Sequence, residues 1–186
     1  MARHAKRLEL MPIPPVEDHT CYFEAGPIRL GVEYRLLTDA VVSRNVARQG
    51  RHEAAAGRRY DDRGVSLHVF TAGADGKLAE RLRFDCFDED PHYHYVDWSL
   101  PANDIVQIDP VADGDPLAWA LERIRTRLPQ MLGRAEAKDA ARPVDAGAVE
   151  AVLPRVTEAA YRARYHHDDE ATLAGALGRL PERRTE

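Results

Sequence analysis

The chain has 186 residues with a formal charge of −5 at pH 7, 44% hydrophobic and 31% charged, and its pI is near 5.9. That composition excludes the low hydrophobicity of a disordered chain, and no run of about 18 apolar residues could make a transmembrane helix. The acidic balance, with arginines scattered among carboxylates, forms no basic stripe for a phosphate backbone, so neither nucleic acid nor membrane is an expected partner.

Lysine occurs only as Lys6, Lys77 and Lys138 among many arginines and alanines, a bias expected of a GC-rich bacterial genome. The opening stretch Met1 to Pro15 is basic, but Glu9 and three prolines break its apolar residues, so it reads as no signal-peptide core. The two cysteines, Cys21 and Cys86, are expected to be reduced thiols of a cytoplasmic protein.

Residues 1–16, ending in Met-Pro-Ile-Pro-Pro, read as a flexible arm. From Cys21 to Thr38 the apolar residues Ile28, Leu30, Val32, Tyr34 and Leu36 alternate with Arg29, Gly31, Glu33, Arg35 and Leu37, the period of a half-buried strand. Residues 39–63 are rich in arginine and alanine and predict a short helix or a loop. Gly64 to Thr71 alternates again, a glycine-containing turn follows, and Lys77 to Phe87 returns with Leu78, Leu82, Phe84 and Cys86 on one face. The acidic turn Asp88 to Pro91 leads into a strand His92 to Trp98, and Asn103 to Asp109 predicts another.

The period then changes. Asp115-Pro116 is a helix start, and Leu117, Leu121, Ile124, Leu128 and Leu132 recur at helical spacing behind it. A second helix is predicted over Val149, Val152, Val156 and Ala160, with Pro154 as a kink point, and a third begins at Asp168. Strands first and helices afterwards predict an α+β fold: an antiparallel meander of about five strands with two to three C-terminal helices. The expected organisation is an arm (1–16), an α+β core domain (17–134), a C-terminal helical arm (135–180) and a disordered tail (181–186).

No phosphate-binding glycine loop, dinucleotide fingerprint, H-E-x-x-H helix, C-x-x-C pair or nucleophile elbow is present. No organic cofactor is therefore expected. The one dense constellation runs from Phe84 to Trp98. On a strand, His92 and His94 project to the same face about 7 Å apart, close enough to share an ion if their rings converge. A carboxylate, with Asp85 and Asp90 as candidates, would complete a site of two histidines and one carboxylate for iron, manganese or zinc, and His68 is a further candidate ligand. The opposite face carries Tyr93, Tyr95 and Asp97, with Trp98 at the end, residues suited to an interface or to ordinary cross-strand pairing. Arg81 and Arg83 belong to an arginine-rich sheet face that could hold a small anion.

The leading expectation is an accessory module or small subunit acting through association with a protein partner or with itself. The alternative is a metal-dependent enzyme built on the strand H-x-H and a carboxylate. A second alternative is a metal-free binder of a small anionic ligand.

Overall fold

The computed structural model describes residues 5–51, 59–73, 76–135 and 144–178. Seven strands form one antiparallel sheet: β1 (Ala5–Leu8), β2 (Cys21–Ala25), β3 (Ile28–Thr38), β4 (Asp61–Ala72), β5 (Leu78–Phe87), β6 (His92–Asp97) and β7 (Ala102–Gln107). Their spatial order is β1-β7-β6-β5-β4-β3-β2. Among the described residues the α-helices are α1 (Asp39–Arg48), α2 (Pro110–Asp113), α3 (Pro116–Arg134), α4 (Ala146–Tyr165) and α5 (Asp169–Ala176), with one 3-10 turn at Glu17–His19. The α+β class follows the sequence expectation, with two strands more. One comes from the arm, which pairs Ala5 with Val106 and Leu8 with Asn103 at the sheet edge. The other is β2: the segment expected as one strand from Cys21 to Thr38 breaks at Gly26, whose φ of +63° turns the chain so that β2 pairs back on β3.

Each helix begins on a side chain that accepts from an otherwise unpaired first-turn N–H: Thr38 for α1, Asp109 for α2, Asp115 for α3, Asp145 for α4 and Asp168 for α5. Helices α3 and α4 lay their apolar stripes, including Leu117, Ile124, Leu128, Val152 and Val156, on the sheet face formed by Leu30, Leu67, Leu82, Phe84, Tyr93 and Val106. Pro154 lies within α4. Truncating a fully buried leucine such as Leu128 should cost about 2–5 kcal/mol. Among the described residues no helix is long and apolar enough to cross a membrane.

The topology dictates what covers the other face. Because β1 and β2 are opposite edges of a seven-stranded sheet, the chain between them must cross six strand spacings, about 29 Å. Residues 9–20 can span at most about 40 Å when extended, enough to cross with one 3-10 turn at Glu17–His19, and Pro12, Pro14 and Pro15 hold φ in the extended range before it. The expected flexible arm is therefore an edge strand followed by a strap. The strap is tied down along its length: Asn103 Nδ2 donates to the Leu10 carbonyl (2.5 Å), Asn45 of α1 and Gln49 just after it donate to the Met11 carbonyl, and Glu33 accepts from the Val16 N–H.

The C-terminal helical region likewise packs on the sheet through α4, while most of the connector, Leu180 and the tail Pro181 to Glu186 lie outside the described residues. One strand departs from simple alternation. A bulge between Val69 and Phe70 sets Val69 opposite Leu82 but Phe70 opposite Glu80. Leu78, expected with Leu82 on the core face, is moved off it and is 42% exposed, while Glu80 turns onto the strap face.

Candidate metal centre

The strap face is buried yet polar: Glu33, Arg35, Ser66, His68, Glu80, Arg83, Asp85, His92, His94 and Asn103 are all less than a tenth exposed. Register makes this a set of contacting rows. Glu33, Ser66, Asp85 and His92 lie opposite one another across β3 to β6, and His68, Arg83 and His94 form the neighbouring row. Buried polar groups on this scale are tolerated only when they satisfy one another.

Asp85, His92 and His94 converge, with one ligand atom from each inside a 4.8 Å cluster. The Asp85 Oδ2 atom lies 2.9 Å from His94 Nε2 and 3.5 Å from His92 Nε2. Two donors bound at about 2.1 Å to one ion stand roughly 3.0 Å apart at right angles and roughly 3.4 Å apart at the tetrahedral angle. Both separations thus suit a shared first-row ion.

Hydrogen bonding behind the rings fixes which nitrogens carry protons. His92 Nδ1 meets the Asp90 carbonyl at 2.6 Å, which can only accept, so Nδ1 is the N–H and Nε2 holds the lone pair. His94 Nδ1 meets Asn103 Oδ1 at 2.8 Å, and because Asn103 uses its amino group on Leu10, that oxygen accepts and His94 Nδ1 donates. Ser66 Oγ–H donates to Asp85 Oδ1 at 2.5 Å and turns Oδ2 toward the histidines. Burial pushes His92 below the usual imidazole range, and neighbouring His94 pushes the same way, which keeps the ring neutral. Burial alone would raise the Asp85 carboxyl, but the His94 hydrogen bond and the Arg83 charge outweigh it and hold the group well below its ordinary value. His92 Nε2, His94 Nε2 and Asp85 Oδ2 therefore face a common point, each oriented from behind, as metal ligands are; without an ion His94 Nε2–H donates to Asp85 Oδ2, and an ion would take the place of that proton.

Beside this trio lies a closed ionic network. His68 sits between Glu80, at 2.6 Å from Nδ1, and Glu33, at 3.2 Å from Nε2. Arg83 donates to Glu80 through Nε and a terminal nitrogen at 2.9 and 2.6 Å. Arg35 donates to the strap carbonyls of Ile13 and Pro14. Although burial opposes ionisation, Arg83 and His68 hold the Glu80 carboxyl at about 2.

Between strap and sheet is a cleft of about 470 Å³ with Asp85, His92, His94 and Asn103 among its lining residues. Its other walls come from the strap, from Val42 and Asn45 of α1, and from Tyr60 to Asp62. The volume is that of a small-molecule site.

Residues 22–160, about three quarters of the chain, match a family described as a domain of unknown function, DUF7700. The chain belongs to that family. No curated protein and no solved structure matches it.

Asp85, His92, His94, Ser66 and Asn103 fall within the DUF7700 segment, whereas the strap residues Leu10 to Ile13 precede it. Of the sequence-level metal candidates, the fold brings Asp85, His92 and His94 together. His68 is one strand away with both ring nitrogens turned to Glu80 and Glu33. Asp90 contributes through its main chain, its carbonyl holding His92 and its N–H bonded to Asp62.

The residues expected at an interface or ligand face go elsewhere. Tyr93 and Tyr95 are each 7% exposed, inside the core under α3, with Arg134 over the Tyr95 ring. Their apolar bodies fill the sheet-to-helix layer instead of meeting a partner. Asp97 binds Arg7 and caps the turn at Ser99, and Trp98 donates its indole N–H to the Glu80 carbonyl while remaining 51% exposed. Arg83 is closed onto Glu80 and so is not open to an anion, and Arg81 is half-buried next to the bulge.

Sequence reasoning missed Ser66, Glu80 and Asn103 as site residues. Alternation puts Ser66 on the strap face and could have found it, but the bulge hides Glu80, and Asn103 acts only through the strap crossing.

Proposed function

We propose that this chain is a metal-dependent enzyme that binds one divalent ion through His92 Nε2, His94 Nε2 and Asp85 Oδ2. The observation that carries this reading is that two imidazole Nε2 atoms and a carboxylate oxygen converge at 2.9 and 3.5 Å, with both Nδ1–H groups committed to acceptors. Two histidines and one carboxylate leave coordination positions open, and an ion held so supplies Lewis-acid activation of water, oxygen or a substrate oxygen. The chain's own part is positional. Ser66 turns the carboxylate, Asn103 and the Asp90 carbonyl fix the rings, and the strap shields the site from bulk water while leaving a cleft above it.

Elemental analysis of protein grown with iron, manganese and zinc and then dialysed tests the proposal. About one equivalent of one ion in the wild type and none in Asp85→Asn or His94→Ala, both still folded by circular dichroism, is expected. Metal-free wild type after such growth would remove it.

A second reading, self-association, is supported by Leu78, Trp98 and Leu100, which are 42%, 51% and 63% exposed at the same end of the sheet. Light scattering on wild type and Trp98→Ser tests it: a dimer reduced to monomer supports association, and a wild-type monomer at high concentration contradicts it.

A further inference from the structure

Resting on the metal reading, we propose that the cleft takes an uncharged substrate that presents one oxygen to the ion and lays a hydrocarbon body along the strap and α1. The first support is the chemistry of the walls. Leu8, Leu10, Met11 and Ile13 from the strap side, Val42 from α1 and Ile105 from β7 all border the cleft. All six remain partly exposed instead of closing on one another. Apolar side chains that line a cavity yet stay open to it gain from an apolar ligand by the area each removes from water.

The second support is charge. The buried cations beside the cleft are committed, Arg83 to Glu80 and Arg35 to the Ile13 and Pro14 carbonyls. At the rim, the exposed Lys6 and Arg59 stand among the carboxylates Asp61, Asp62, Glu89 and Asp90. An anionic body would find no uncommitted buried guanidinium among the residues lining the cleft and would meet the rim carboxylates, and a cationic one would be repelled by the divalent ion it lies beside. What is left for specificity is shape and apolar contact around a polar floor.

The third support is placement. The polar groups that face the cleft's floor, Asp85, His92, His94 and Asn103, are confined to the three adjacent strands β5, β6 and β7. Leu10, Met11, Ile13 and Val42 lie on the strap and α1, added above the sheet, while Leu8 of β1 and Ile105 of β7 flank the polar floor. A ligand with one polar end and one apolar end matches that polarity.

Alkyl hydroxamates, which pair an ion-binding head with an uncharged tail, are the probe. Zinc affinity is measured first, without hydroxamate, so that failure of the metal reading is seen by itself. With the zinc protein, calorimetry compares acetohydroxamate, hexanohydroxamate and octanohydroxamate. Affinity should rise up to about fourfold per buried methylene, the equivalent of about 0.8 kcal/mol each. Val42→Asn and Ile13→Asn, each loaded with zinc before titration, should flatten that rise, and whichever of them folds suffices. The monohydroxamate of suberic acid, with an anionic tail end, should bind at least tenfold more weakly than octanohydroxamate. A series flat within twofold in the wild type, or equal binding of the anionic tail, overturns the proposal. Should no zinc bind, hexanamide and octanamide read the apolar wall directly: tighter binding of the longer amide supports it, and equal or absent binding overturns it.

Discussion

Asn103 joins the strap to the candidate ligand His94, so its removal should be felt at both ends. The side chain is 2% exposed, accepts from His94 Nδ1 at 2.8 Å and donates to the Leu10 carbonyl at 2.5 Å. Asn103→Ala strands a buried N–H and a strap carbonyl, each costing about 1–3 kcal/mol, for a total loss of about 2–4 kcal/mol because the Leu10 end is half-exposed. At the ion, losing the group that orients a histidine should weaken zinc binding about 10–100-fold. Asn103→Asp separates the two effects, because it keeps an oxygen for His94 but has no donor for Leu10. Urea unfolding of the metal-free protein and competition titration with zinc measure the two ends. The expected pattern is that both variants lose stability, Asn103→Ala loses zinc affinity, and Asn103→Asp keeps it within a few-fold. Asn103→Ala with reduced stability but unchanged zinc affinity would refute the role given to the second hydrogen bond.

Three further outcomes follow from the same geometry. Gly64 has φ +153°, and a Cβ there would lie 2.5 Å from the Cys86 carbonyl oxygen and 2.7 Å from Phe87 Cα, so Gly64→Ala should lose about 2–4 kcal/mol. A thermal midpoint lowered by less than about 2 °C would contradict the β4–β5 register at that point. Glu80, held at about 2 against an ordinary 4.5, contributes stability that is complete above pH 4.5 and lost as pH falls toward 2. Wild type should therefore lose about 3 kcal/mol more over that window than Glu80→Gln, read from urea midpoints at each pH, and parallel curves would exclude the network. His68 is raised above 6.5 because Glu80 and Glu33 outweigh its burial, so its contribution is full below pH 6.5 and fades as pH rises through the folded value. The alkaline decline should be absent in His68→Gln, and its persistence there would assign it to another group.

The face that carries chemistry was partly legible. The H-x-H spacing on a strand put His92 and His94 on one face, and the adjoining strand offered Asp85 on a compatible row. What periodicity could not decide was which face of β6 is buried, because both are: tyrosines under the helices, histidines under the strap. A strand buried on both sides has no polar side to mark. The cover itself was illegible for a topological reason. Residues 9–20 have neither helical nor strand period, and their role follows only from β1 and β2 being opposite edges, a non-local pairing that no local pattern encodes. Glu80 was hidden by a one-residue bulge, which inverts every side chain beyond it. The C-terminal helices, by contrast, announced themselves through aspartate caps and apolar spacing, because those signals are local.

The most direct test of the central claim is an anomalous difference map, at the zinc edge, of crystals grown with one equivalent of zinc. The account predicts one strong peak about 2.0–2.2 Å from His92 Nε2, His94 Nε2 and an Asp85 oxygen, lost in Asp85→Asn crystals. No peak at that point, or a peak only at surface residues such as His166 and His167, would contradict it.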